Sequence, residues 1–401
     1  MIIADGYLRA DGRKGIRDIV TVIYLVECAH HVARRAVDQS QDDAVHLLGF
    51  PGCYPNDYSL RMMKALATHP NVGGAVLVSL GCEGFNRENL AGAIEASGRP
   101  VETVVIQEVG GTRSGVEKTV AAVKRMRLAM VRNERRAPLR MSDLTVGTVC
   151  GGSDGTSGIA ANPAVGRAFD HLVDAGAVCI FEETGEMIGC EGVLSTRAAS
   201  PEVAAAITTS IRNAEAYYRA MGYGSFAPGN AEGGLTTLEE KSAGAYVKSG
   251  SRPIRGLIRP AQQPGQSGLY LLDVVPETAP KFGFPNISDN AEIAELMSCG
   301  AHLTLFTTGR GSVVGSAIAP VIKITGNPET FRRMSEDMDI DAGRVLEGKA
   351  TLDEVGAEIF ARVLAVAAGA ASKSETLGHR EFILTYKAIE ALGPVCHPSR
   401  Q

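Results

Sequence analysis

The stretch IVTVIYLVECAHHVARRAVDQS, residues 19–40, decides the fold. Its first half is apolar without polar alternation, as a strand buried on both faces requires. Its second half turns to the apolar spacing of an amphipathic helix. The same change recurs downstream: AVHLLGF (44–50) leads to YSLRMMKALATH (58–69), AVLVSLGC (75–82) to RENLAGAIEASG (87–98), and TVVIQEVGG (103–111) to GVEKTVAAVKRMRLAMV (115–131). Strands alternating with helices in this way predict a parallel sheet covered by helices.

The charged, proline-containing segment RNERRAPLRMSD (132–143) reads as a linker or boundary loop. Beyond it LTVGTVC (144–150), GGSDGTSGIAANPAVG (151–166), RAFDHLVDAG (167–176) and AVCIFEE (177–183) restart the strand–helix–strand order. The expected class is α/β, two parallel-sheet, Rossmann-like units packed together, over 1–140 and 141–401, with no small β-rich domain ahead of them. Residues 200–222 predict one long helix, 223–290 a loop-rich excursion with short strands, and 351–392 a helical end.

Composition narrows the function classes. The chain has 401 residues, a net charge of −5 and 45% hydrophobic residues. That is a packed globular protein, and its charge argues against a nucleic-acid partner held by phosphate contacts. No apolar run reaches transmembrane length, and the N-terminus has no signal-peptide pattern. Eight cysteines without such a signal point to a reducing, cytoplasmic setting in which thiols serve as ligands or core residues.

Four of those cysteines end apolar, strand-like runs: Cys28, Cys53, Cys82 and Cys150. The C-terminal ends of parallel strands face one crevice, and ligands bind there. Thiols gathered in that crevice make a soft-ligand site for iron, an iron–sulfur cluster or zinc. Cys179, inside AVCIF, reads as core; Cys190, Cys299 and Cys396 have no partner pattern. Glu83, beside Cys82 in GCEGFN, is a metal ligand, a base or a helix cap.

Other motifs suit an anion. CGGSDGTSG (150–158) is a glycine-rich turn between a strand and a helix, without P-loop or dinucleotide spacing. Its backbone amides at Gly151 and Gly152, with Ser153 and Asp154, are candidates to bind a carboxylate, phosphate or sulfonate. TTGRGSVVGS (307–316) adds Thr308 and Arg310, and GGTR (110–113) adds Arg113. An arginine between glycines has little packing role and grips planar anions well. GGLTTLEEKSAGAYVKSGS (233–251) holds Lys241 and Lys248 and reads equally as a solvated helix start. His302, in CGAHLTLF, and His69, in HPN, lie near strand starts or ends and are more often structural than catalytic.

Taken in order, GYLRADGRKGIRD, CGGSDGTSG, EETGEMIG, PGNAEGGLTTLEEKS, LFTTGRGS, PVIKITGNP and MDIDAG resemble the altronate and galactarate dehydratase family across nearly the whole chain. The family is known for iron-dependent β-elimination on sugar acids, and it includes a sulfo-lyase that takes (2R)-sulfolactate to sulfite and pyruvate. The dehydratases carry a small N-terminal domain ahead of this core. The resemblance therefore implies a separate small subunit as partner, and an oligomer is expected. One departure bears on substrate: the dehydratase pattern has a histidine four residues before the cysteine matching Cys53, and here that position is Gly49. The polar stretch after that cysteine is reduced to Asn56 and Asp57. Fewer polar groups suit a smaller substrate with a leaving group, sulfite, that needs less acid assistance.

The expected activity is β-elimination from a small anionic 2-hydroxy acid to a 2-keto acid, best matched by 3-sulfolactate, with sugar-acid dehydration as the alternative. Iron on some of the four cysteines, Arg113, Arg310 and the 151–155 loop on the anionic ends, and Glu183, Glu186, Lys241 or His302 as base complete the expectation. A non-catalytic, metal-bearing anion sensor is the competing reading from another class.

Overall fold

The computed structural model describes residues 1–221, 228–275 and 288–384. Its strands are β1 (Ile2–Leu8), β2 (Lys14–Gly15), β3 (Ile19–Tyr24), β4 (Val45–Gly49), β5 (Val72–Ser79), β6 (Val101–Val105), β7 (Arg136–Arg140), β8 (Thr145–Cys150), β9 (Val178–Phe181), β10 (Ile254–Ile258), β11 (Gly268–Leu272), β12 (Leu303–Thr308), β13 (Val321–Thr325) and β14 (Ile340–Asp341). The class is α/β, as expected, with two parallel sheets.

The first sheet runs β4-β3-β5-β6, all parallel. Every residue of β5 is buried, and only the last of β3 is not, which is why these strands read as unbroken apolar runs. Helices Glu27–Ser40 and Thr112–Arg132 cover one face of it through Val20, Val22, Val32, Val76, Val123 and Met126.

The second sheet has seven parallel strands in the order β10-β11-β9-β8-β12-β13-β14. From β8 the chain fills the β9 side, with β10 at the edge and β11 inserted between it and β9, then crosses to β12 and builds outward on the other side. The reversal falls between β8 and β12, and the crevice beyond their C-terminal ends is where such sheets bind ligands.

A shared apolar core joins the units. Leu25, Leu48, Phe50 and Met62 from the first pack with Val149, Leu296, Phe306 and Ile318 from the second. Polar ties flank it, including Tyr58 Oη donating to Glu295 at 2.6 Å and Asn71 Nδ2 donating to the carbonyls of His302 and Ile318.

Three expectations change. The segment 132–143 contains β7, which pairs antiparallel with β1 in a three-stranded sheet with β2; RAPLR is too polar to announce a strand because most of its side chains stay in solvent. The described part of 223–290 is not an excursion, since β10 and β11 extend the main sheet. Among the described residues, the helix Leu352–Ala367 is followed by a short one, Lys373–Thr376. Cys396, like residues 385–392 of the expected helix, lies outside the described residues.

Gly49 has a packing reason. A Cβ there would lie 2.1 Å from the ring of Tyr24, its register partner on β3. Tyr24 thus occupies the space that a side chain at position 49 would need. Gly49→Ala is expected to lower stability by about 1–3 kcal/mol through overpacking, and Tyr24→Ala in that background to recover most of the loss. Urea unfolding of the single and double variants decides it; a double variant no better than Gly49→Ala contradicts the pairing.

Candidate active site

The C-terminal end of β8 delivers Cys150 into the crevice beside β12, and Gly151 N donates to Thr307 O at 3.0 Å. The neighbouring strand β9 runs into the turn EETGE (182–186), which brings Glu183 and Glu186 onto the cysteine. The Cys150 thiol donates to Glu186 Oε2 at 3.0 Å, and Glu183 Oε2 accepts the Cys150 amide at 3.0 Å. Glu183 holds a left-handed backbone conformation, φ 81°. That conformation costs a non-glycine residue on the order of 1–3 kcal/mol and is found where a site over-determines the backbone. Gly185 is required two residues on, because a Cβ would strike the Tyr218 ring at 2.1 Å.

Two lysines from the segment 238–249 complete the cluster. Lys241 forms an ion pair with Glu186, and the fully buried Lys248 one with Glu183. Lys248 Nζ also lies 3.4 Å from Cys150 Sγ. Two carboxylates thus face two ammonium groups. Burial first, then Glu186, pushes the Cys150 thiol up to about 12, so it is protonated. Lys241 is held above its ordinary value: burial opposes its charge, but Glu186 and its other anionic neighbours outweigh it.

Asp289, first residue of the helix Asp289–Ser298, approaches from the other side. A Cβ on Gly151 would lie 2.0 Å from its carboxylate, so the glycine makes room for it. Burial, and then Glu186, raise Asp289 to about 6. Because its folded value lies above the unfolded one, its contribution to stability is complete below about pH 3.8 and lost as pH rises through about 6. Asp289→Asn is therefore expected to be more stable than wild type at pH 8, by roughly 3 kcal/mol, and close to it at pH 4. Equal stability at pH 8 in denaturant titrations would contradict this placement.

A cavity of about 260 Å³ opens onto Cys150, Ser153, Asn162, Glu186 and Lys241. It is smaller than the roughly 300–1,000 Å³ of sites for drug-sized ligands. A π-helical turn, Ser157–Ala161, forms part of its wall, and such turns are frequent at functional sites.

Asp154 organises the surrounding loops. Its Oδ1 accepts from Thr156 N at 2.8 Å and Ser157 N at 3.0 Å, and Oδ2 from Asn327 Nδ2 at 3.3 Å. A Cβ at Gly309 or at Gly233 would collide with it. Glycines of two other motifs therefore meet on this one side chain, which braces the loops. Thr308 Oγ1 likewise accepts from Gly311 N at 3.0 Å and donates to Gly152 O at 3.4 Å. Arg310 is half-exposed and holds Gly229 O and Glu232. Arg113 is exposed in the first turn of its helix in the first unit. Glu83 caps its own turn, accepting from Ser79 Oγ and Gly81 N.

His302 is at the wrong end of the sheet to act as the base. It precedes β12, donates from Nε2 to Lys14 O at 2.8 Å and accepts Thr145 N on Nδ1 at 3.0 Å, beside the start of β8. His69 is held in the same manner by Ala301 O and Asn71 N. Burial lowers both imidazoles, and His46 with them. Depressed folded values mean stability is complete above about pH 6.5 and lost as pH falls through the folded values. Melting temperature should fall below pH 6.5, and less so in His302→Gln measured against its own neutral-pH value; an unchanged acid slope would count against the assignment.

The four strand-end cysteines divide. Cys150 is buried, whereas Cys28, Cys53 and Cys82 are exposed at the ends of β3, β4 and β5. Among the described residues, the set of donor atoms lying within 4.8 Å of one another is Cys150, Glu183 and Glu186, which could hold a metal ion. Lys241 and Lys248 already pair with the two carboxylates of that set. Cys179 is core, as its apolar context implies.

Residues 6–130 match the model for the D-galactarate dehydratase/altronate hydrolase second domain, and 141–390 that for the D-galactarate/altronate dehydratase C-terminal domain. The chain is 33% identical to (2R)-sulfolactate sulfo-lyase subunit beta of Chromohalobacter salexigens, over 95% of this chain and 96% of that one. It is 30% identical to altronate dehydratase of Escherichia coli, over 86% and 70%, and 31% identical to its galactarate dehydratase (L-threo-forming), over 91% and 72%. Relatives with lyase names across nearly the whole chain make it an enzyme of the lyase class, and the sensor reading falls. No helix among the described residues is long and apolar enough to cross a membrane. The chain belongs to the D-galactarate/altronate dehydratase family.

Proposed function

We propose that the chain catalyses β-elimination from a small anionic 2-hydroxy acid, with (2R)-3-sulfolactate as substrate and pyruvate and sulfite as products. The observation that carries this reading is the Lys241–Glu186 pair at the wall of a small cavity at the β8/β12 crevice. Elimination needs a base at C2 and fixed positive charge for the carboxylate as it becomes enolate-like. Lys241, kept protonated by its surroundings, takes the substrate carboxylate; Glu186, released from the pair, takes the C2 proton. The C3–S bond breaks with its electrons leaving on sulfite, and the enol becomes pyruvate by protonation at C3. Lys248 and Glu183 hold Cys150 and the turn in place behind them.

Iron is the cofactor in this reading, bound through cysteine sulfur; it would supply positive charge at the substrate's oxygens. A separate small subunit and the cytoplasm complete the proposal, the subunit being supported by the name of the sulfo-lyase relative. The high coverage of that relative supports sulfolactate over a sugar acid. The dehydratase relatives favour a second reading, loss of water from a sugar acid.

The test is anaerobic incubation of the enzyme and its small subunit with 3-sulfolactate, altronate and galactarate. Sulfite and pyruvate in equal amounts support the first reading; a deoxy keto acid from a sugar acid supports the second. No product from any of the three overturns both.

A further inference from the structure

Strands β4, β3 and β5 are adjacent and parallel, so their C-terminal ends open on one edge of the first sheet. Cys28 follows β3 in the first turn of the helix Glu27–Ser40, Cys53 follows β4, and Cys82 follows β5. Their turns are laced together: Phe50 N donates to Tyr24 O at 2.9 Å, Glu27 N to Pro51 O at 3.2 Å, and Gly84 N to Cys53 O at 2.8 Å. All three thiols are free and exposed, whereas the other described cysteines, Cys150, Cys179, Cys190 and Cys299, are buried. Cysteine is among the residues most often buried, so packing does not account for three exposed ones on one edge.

The nearby carboxylates face elsewhere. Glu83 is bound to its own turn and Glu27 lies against His30. What remains is an all-sulfur set of three, which excludes hard cations. The three sulfurs are not among the donor atoms that close within 4.8 Å of one another, and one ion would need them that close. An iron–sulfur cluster spreads its thiolate ligands over several metal atoms and does not need them that close.

We propose that Cys28, Cys53 and Cys82 hold a [4Fe–4S] cluster, one of whose irons has no protein thiolate, separate from the Cys150 pocket. The two edges approach each other: Ser288 and Asn290 line a cavity with Tyr24 and His30, and Asp289 between them touches Gly151. The edge that carries the three cysteines therefore lies beside the helix start that reaches the Cys150 pocket. The assignment does not depend on the substrate, because cluster content is read without turnover.

The test is anaerobic reconstitution of the full-length enzyme with ferrous iron and sulfide, followed by iron and sulfide analysis, visible absorption and electron paramagnetic resonance after reduction. About four irons and four sulfides per chain are expected, as for a cubane cluster. Cys28→Ser, Cys53→Ser and Cys82→Ser should each lose the cluster while keeping the wild-type circular dichroism, the thiols being exposed. Cys150→Ser should keep it. Iron without sulfide, a cluster that survives the triple Cys28→Ser/Cys53→Ser/Cys82→Ser change, or one lost on Cys150→Ser alone would overturn the assignment.

Discussion

Glu186→Gln lowers kcat by about 10²–10⁴-fold, the range for removing a positioned general base, and leaves the melting temperature within a few degrees of wild type. Glutamine keeps the shape of the side chain and can still accept from the Cys150 thiol and from Lys241, so the turn 182–186 stays in place. It cannot take the C2 proton. Lys241→Met should instead raise KM as well as lower kcat, because the ammonium that holds the substrate carboxylate is gone. Steady-state kinetics on both variants separates the two roles. A Glu186→Gln enzyme with wild-type kcat would remove Glu186 from the chemistry.

Lys248→Met costs about 3–5 kcal/mol of stability, because it leaves the carboxylate of Glu183 buried without its counter-charge. Lys248 is 0% exposed and Glu183 3%, so solvent cannot screen the loss. Glu183→Gln alone should cost a similar amount by stranding the ammonium. The double variant Lys248→Met/Glu183→Gln should lose much less than the sum of the two, since neither charge is then left unpaired. Urea unfolding of the four proteins gives the coupling directly. Strictly additive losses would mean that the two groups do not form a pair.

The parts of the fold legible in the sequence were those whose burial leaves a linear trace. β3, β5 and β8 are enclosed on both faces and so appear as apolar runs, and their following helices carry the matching stripe. β7 left no such trace, because RAPLR joins an edge through its backbone and keeps most side chains in solvent. The runs at β10 and β11 were visible, but their place in the main sheet is decided by neighbours distant in sequence.

The site divides along the same line. Cys150, Glu183, Glu186 and Lys241 were legible as chemistry-bearing residues next to strand ends or glycines. Lys248 was not, since in AYVKSG nothing distinguishes a lysine paired in the interior from one reaching solvent. Asp289 reads as an ordinary acidic residue at a helix start. The glycines flanking Arg310 have packing reasons of their own, Gly309 clearing space for Asp154 and Gly311 lying against Met334, and the arginine itself holds the 229–232 segment. His302 could have been placed correctly: it precedes HLTLF's strand, and ligands gather beyond the opposite end.

Removal of the C2 proton in the Cys150 pocket is the central step, and the most direct measurement is the single-turnover rate of sulfite release from 3-sulfolactate carrying hydrogen or deuterium at C2. Excess enzyme keeps product release from masking the chemical step. A severalfold slower release from the deuterated substrate is the predicted result. Equal rates for the two would mean that the carbon–sulfur bond breaks before the proton is taken, and would contradict the role given to Glu186 and Lys241.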